Sequence, residues 1–247
     1  MRLDVYLTAD EIAGAATGRV VAVIDVLRAS TTIAVALDSG ARAVIPFADT
    51  DEMITRSKQF ERETVLLTGE RKMLPLRGFD LGNSPREFTP EAVAGKTVLL
   101  STTNGTRAIL ASQGARDIVV ASYVNWTAVT AMLRAALRAG TDIAIVCAGT
   151  DGHFALEDAA CAGRYVRSVT RRLSGVALND AAHACSLLAH NYGEQVGRVL
   201  IDSVHGRALA DAGFREDLSV CAAVDSHPVV PVFTDRQITK LGPERER

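Results

Sequence analysis

Short β-branched runs alternate along the chain with alanine-rich stretches of helical character. The runs at 19–26, 43–47, 64–68, 96–101, 117–122 and 142–148 predict strands. Their character is largely continuous rather than alternating, as strands covered on both faces require. Between them the segments 32–37, 51–60, 106–111, 126–138 and 157–173 predict helices. Alternation of this kind argues for a layered α/β fold, with a largely parallel or mixed sheet flanked by helices. In such sheets the ligand crevice lies beyond the carboxyl ends of the strands.

The pattern also repeats. VIDVLRASTTIAVALDSGARAVI and the later LLSTTNGTRAILASQGARDIVV each run from an apolar strand through a Ser/Thr turn with an arginine to a short helix, Gly-Ala-Arg and another strand. A third strand, turn and helix follows at IAIVCAGTDGHFALEDAACAGRYV. Duplication and three independent βα units obeying the same rules account for the echo equally well; either way, three polar turns face one crevice. Residues 1–173 are expected to form the main α/β domain that carries these turns. The more irregular region 174–247, ending in the charged GPERER tail, reads as a subdomain or cap, or as a continuation of the same domain.

Composition narrows the function classes. With 247 residues, 48% hydrophobic and 23% charged, the chain is long enough to bury a substantial core. The net charge of -2, without a long lysine or arginine block, disfavours nucleic acid as a partner. The start, MRLDVYLTADEIAG, is no secretory signal, and no stretch has the roughly 20 apolar residues of a membrane span, so a cytoplasmic protein is expected. Cys147, Cys161, Cys185 and Cys221 form no CxxC pair and read as buried free thiols. A symmetric homodimer is common for enzymes of this size.

Candidate chemistry collects in four places. The run GERKMLPLRGFDLGNSP combines Glu70, Arg71, Asp80, Asn83 and Ser84 with turn-forming glycines and prolines, which reads as an active-site loop. Acids beside arginines suit a divalent cation and an anionic substrate. Asp25 ends an apolar strand, where a carboxylate must be paired, solvated or bound to a cation. It is either a metal ligand or catalytic acid, or a capping acid paired with Arg28. Arg28, Ser30 and Thr31 follow at a helix opening that favours an anion, although Ser30 is equally a simple N-cap.

The second turn gathers Thr103, Asn104, Gly105, Thr106 and Arg107 into a candidate phosphate or sulfonate cradle, and no GxxxxGK[ST] loop accompanies it. The third carries Asp151, His153, Glu157 and Asp158. Glu157 and Asp158 lie about 100° apart on a helix, so one of them faces the crevice. The remaining histidines show no metal-binding spacing.

In order, the strings DVLRASTTI, LLTGER, GFDLGNSP, STTNGTRA, CAGTDGHFALEDAACAG and GFREDLSVCAAVDSHPVVPVF resemble the signature of the 2-phosphosulfolactate phosphatase family of coenzyme M biosynthesis. The likeness runs from Asp25 to Gly163, with a looser echo near the C-terminus. It implies a magnesium-dependent phosphatase that hydrolyses a small anionic substrate, 2-phosphosulfolactate, to sulfolactate and phosphate. On that resemblance Arg28, Arg71 and Arg107 are candidates for gripping its acidic groups. Asp25, Glu70, Asp80 and Glu157 are candidates for holding Mg²⁺, directly or through water, with Asp25, Asp80 and Glu157 also the catalytic candidates. Attack by Asp25 on phosphorus and attack by activated water both remain open, the absence of a DxDx[TV] motif favouring water.

Overall fold

The computed structural model describes residues 1–242, so most of the charged tail, 243–247, lies outside the described residues. In chain order the strands are β1 (Arg2–Tyr6), β2 (Val20–Ile24), β3 (Ala43–Pro46), β4 (Val65–Arg71), β5 (Leu74–Pro75), β6 (Thr97–Ser101), β7 (Asp117–Ala121), β8 (Ile143–Cys147), β9 (Ala177–Leu178), β10 (Pro231–Thr234) and β11 (Gln237–Lys240). The helices are α1 (Ala29–Asp38), α2 (Thr50–Ser57), α3 (Pro90–Val93), α4 (Gly105–Ala111), α5 (Trp126–Arg138), α6 (Leu156–Thr170), α7 (Asp180–Tyr192), α8 (Val196–Asp202), α9 (Val204–Leu209) and α10 (Arg215–Cys221).

All six predicted strands and all five predicted helices are present, with boundaries shifted by a few residues. The region after Ser174 is less irregular than its sequence reads: among the described residues four α-helices, a π-helical segment Ala210–Phe214 and two strands follow β9.

All eleven strands join one mixed, mostly parallel sheet in the order β5-β4-β6-β3-β11-β10-β7-β2-β8-β1-β9. One parallel group is β4, β6 and β3; the other is β7, β2, β8, β1 and β9. The hairpin β10–β11 pairs antiparallel with β7 on one side and β3 on the other. Three successive antiparallel junctions make the two parallel groups run in opposite senses.

The repeat crosses that reversal in both directions. The first βα unit leaves the second group at β2 and enters the first at β3; its echo leaves the first group at β6 and returns at β7. The two intervening helices share one core with both groups: Ile33, Val35 and Leu37 of α1 and Ala108 and Ile109 of α4 cluster with Val21 and Val23 of β2, Val44 of β3, Val98 and Leu100 of β6 and Val120 of β7. Nine of the ten α1 residues are buried, as a helix enclosed on all sides requires.

The other face of the second group packs against α5 and α6. Along β2, Val20, Ala22 and Ile24 point into that core, whereas Val21 and Val23 point toward α1 and α4, which accounts for the unbroken apolar run. On α5, Val129, Leu133 and Leu137 recur at four-residue spacing and are buried.

Candidate active site

The end of β2 sets the first wall. Asp25 is 6% exposed; its Oδ1 accepts the Ala29 N–H (3.2 Å) and its own N–H donates to Ser30 Oγ (2.9 Å). Gly105, opening α4, packs directly on it: a Cβ there would stand 2.6 Å from Asp25 Oδ2 and 2.5 Å from the Ala29 Cβ. The two echoed turns therefore touch, and only glycine permits it. Burial pushes the Asp25 carboxyl up to about 7, helped by the charges of Glu70 and Glu157 and opposed by the Ala29 N–H.

Arg28 follows and is buried as well. Its guanidinium bonds Asp217 Oδ2 (2.7 Å) and the Met73 carbonyl (2.8 Å) and lies 4.3 Å over the Phe214 ring. Asp217 Oδ1 also accepts the Ser84 hydroxyl (2.7 Å).

From β4, Glu70 fastens the second turn. Its Oε1 accepts the Thr103 N–H (2.8 Å) and hydroxyl (2.9 Å), and its Oε2 accepts the Met73 N–H (2.8 Å). Gly69, at φ 149°, lets β4 approach β6 so closely that a Cβ would fall 2.1 Å from the Ser101 carbonyl oxygen.

At the start of α6 the adjacent acids divide their work. Glu157 lines the cavity, whereas Asp158 accepts the Val26 N–H (2.8 Å) and the Gly149 N–H (3.1 Å), stapling the first turn to the third. Burial raises both carboxyls, and the Ser203 hydroxyl opposes the rise at Glu157.

These parts enclose one cavity of about 780 Å³. Asp25 and Arg28, Thr103 and Asn104, and Asp151 and Glu157 represent the three turns on its wall, joined by Glu70, Lys72 and Asn83. The C-terminal helical region adds Ser203 and His205. Burial, and next the charge of Arg28, lower the His205 pKa, which favours the neutral imidazole. Acidic and cationic side chains thus face a shared space, an arrangement that takes an anion together with a cation.

A match to the family model described as 2-phosphosulpholactate phosphatase covers residues 6–236. The chain belongs to that family. It is 39% identical over 233 residues to a protein of Symbiobacterium thermophilum, covering 94% of this chain and 97% of that one. It is 38% identical over 211 residues to a protein of Caldanaerobacter subterraneus subsp. tengcongensis (85% and 86% covered) and 38% identical over 217 residues to one of Thermotoga maritima (88% and 90%). All three bear the name "Probable 2-phosphosulfolactate phosphatase".

In this member of the 2-phosphosulpholactate phosphatase family the residues singled out by sequence separate into three sets. Asp25, Arg28, Glu70, Asn83, Thr103, Asn104 and Glu157 line the cavity. Ser30, Thr31, Ser84, Gly105 and Thr106 sit behind it as buried supports. Thr31 Oγ1 donates to the Val26 carbonyl (2.9 Å), and Thr106 Oγ1 donates to the Thr102 carbonyl (2.9 Å).

Three candidates stand apart from the cavity lining. Asp80 is engaged by Arg62 and by the Leu67 N–H, where it closes the loop that follows β4. Arg107 points outward and pairs with Asp10, because the first turn of α4 aims it away from Asp25. Arg71 is held by Ser101 Oγ (2.9 Å) and the Glu70 carbonyl (2.7 Å).

Conversely, Lys72, Ser203, His205 and Asp217 attract no notice as individual residues. Asp217 lies within the late GFREDLSV string, whereas His205 carries no spacing signal at all.

The donor chemistry fits a divalent cation. Glu157 and Asp25 line the cavity with carboxylates, and Asn83, also a lining residue, has an Oδ1 that is buried without a partner. Among the described residues no three His, Cys, Asp or Glu side chains stand in a closed ligating cage. An ion that keeps several waters and takes substrate oxygens needs only one or two carboxylates.

Proposed function

We propose that the chain hydrolyses the phosphomonoester of 2-phosphosulfolactate, giving sulfolactate and phosphate, with Mg²⁺ as its cation. The observation that supports this most is the meeting of Asp25, Arg28 and Glu157, from separate turns, on one cavity wall. The names of the relatives supply the substrate. Glu157 and Asn83 Oδ1 would hold the ion. When bound, it would offset charge on the phosphoryl oxygens and on the leaving oxygen.

The chain's own groups do the rest. Arg28 uses two guanidinium donors on Asp217 and Met73 and lines the cavity, where a free edge would meet phosphoryl or sulfonate oxygens. Lys72 adds a second cation at the same wall. Asp25, with a pKa near 7, is poised to take a proton from an attacking water, since a base is most effective when its pKa lies near the working pH. The apolar wall from Leu27, Phe154 and Leu156 restricts bulk water around the reacting phosphorus. Four buried, unpaired cysteines accord with a reducing cytoplasm.

Phosphate release from 2-phosphosulfolactate, beside 2-phospholactate and phosphoglycolate, tests the assignment. Turnover with Mg²⁺, lost on chelation and lowered at least about 100-fold in Asp25→Asn, is the expected result. Turnover confined to the esters without a sulfonate would overturn the substrate and keep the chemistry.

A further inference from the structure

Arg28 is the cation most deeply set in the cavity wall, yet nothing on its own element fixes its direction. What fixes it comes from almost two hundred residues later in the chain. Asp217, at 0% exposure on α10, receives Arg28 Nη1 on one carboxylate oxygen and the Ser84 hydroxyl on the other, both at 2.7 Å. The Phe214 ring lies under the guanidinium, its centroid 4.3 Å from Arg28 Cζ, and the Met73 carbonyl takes Nη2. Four segments, the β2–α1 turn, the β4–β5 connection, the loop ending at Ser84 and α10, therefore converge on one ion pair.

We infer that Asp217 is a positioning residue for the reaction: it fixes the plane of the Arg28 guanidinium so that an edge left free by Asp217 and Met73 is turned to the substrate's phosphoryl group. The inference rests on the anion-binding role proposed for Arg28. A guanidinium has five N–H donors in a rigid plane, so fixing two of them fixes the directions of the other three. The side chains of the pair are 2% and 1% exposed. Loss of either partner leaves the other buried and uncompensated. Ser84 and Phe214 restrain the carboxylate and the guanidinium separately.

Inorganic phosphate is the direct probe, because its binding requires no turnover. In Asp217→Asn the amide keeps the shape of the carboxylate but loses its charge and presents a weaker acceptor to Arg28. Phosphate affinity by calorimetry, with Mg²⁺ present, should fall about 10- to 100-fold, the loss of a charged hydrogen bond. Asp217→Glu, which keeps the charge, should recover part of it.

The decisive comparison is with Arg28→Lys. If Asp217 acts through Arg28, Asp217→Asn added to Arg28→Lys should weaken phosphate binding and kcat/KM by less than about threefold further. Full additivity of the two losses, or a Tm decrease in Asp217→Asn with phosphate affinity unchanged, would overturn the inference. Should Asp217→Asn fail to fold, Ser84→Ala, which frees one carboxylate oxygen, decides in its place: a several-fold loss of phosphate affinity supports positioning and an unchanged affinity overturns it. Asp217-dependent phosphate binding without turnover of 2-phosphosulfolactate would sink the substrate assignment alone.

Discussion

At the residue scale the site trades stability for chemistry, and Asp25 is where the trade is measurable. Its folded pKa of about 7 stands above the ordinary 3.8, so between those values the folded chain keeps a proton that the unfolded chain has released. Stability contributed by this group is therefore lost as pH rises from about 4 to 7 and stays lost above. Asp25→Asn removes the charge while retaining an oxygen for the Ala29 N–H. It should abolish most activity and yet raise the stability of the metal-free protein by as much as about 4 kcal/mol at pH 8, with a smaller gain at pH 5. Thermal melts at both pH values check this, and an equal or larger gain at pH 5 would refute the assignment of the titration to Asp25. Gly105→Ala forces a methyl against Asp25 and Ala29. It should cost about 1–3 kcal/mol and a large part of kcat, read from melts and from phosphate release. Asp25 was visible in sequence because an acid at the end of an apolar run demands a partner. Arg107 misled for a related reason: a turn's composition marks it as polar, but which side chain aims inward depends on helix phase.

At the element scale, the opening of α6 shows how adjacent residues divide a task. Successive positions on a helix point about 100° apart, which the sequence already predicts for Glu157 and Asp158. Which of the two faces the cavity is decided by the first and third turns, whose Val26 and Gly149 N–H groups converge on Asp158. Asp158→Ala leaves both donors buried and unpaired, and should lower stability by on the order of 3 kcal/mol. Because the first turn loses its staple, kcat should fall together with Tm. Glu157→Gln should raise, not lower, the melting temperature of the metal-free protein at neutral pH, because burial disfavours the charge it removes, while abolishing the stabilisation that added Mg²⁺ confers, seen as a lost Tm rise in a thermal shift titration. The βα units were legible because a fully buried strand and an alanine-rich helix differ in residue type. β1 was not, since five residues with two charges carry little strand signal until β8 and β9 are placed on either side of them.

At the scale of the whole molecule, the least conspicuous segment closes the fold. β10 and β11 contribute only four residues each and follow a helical stretch, so nothing local marks them as central. Their place is between the two parallel groups: β3 and β7 run in opposite senses, and the hairpin fills the gap between their edges with antiparallel pairing at every junction. Without it, both strands would present unpaired backbone groups along apolar faces, a template for pairing between chains. Ile238 and Phe233 of the hairpin also pack into the core shared by α1 and α4. Those are the helices whose first turns hold Asp25 and Gly105 in contact. A chain ending at Asp225 should therefore lose more than a terminal appendage: it should elute as aggregate in size-exclusion chromatography and release no phosphate, although every cavity-lining residue remains in it. A truncated chain that stays free of aggregate and keeps its cooperative melt would show that the two groups hold together through α1 and α4 alone. The hairpin would then be a cover over edges rather than the joint between them.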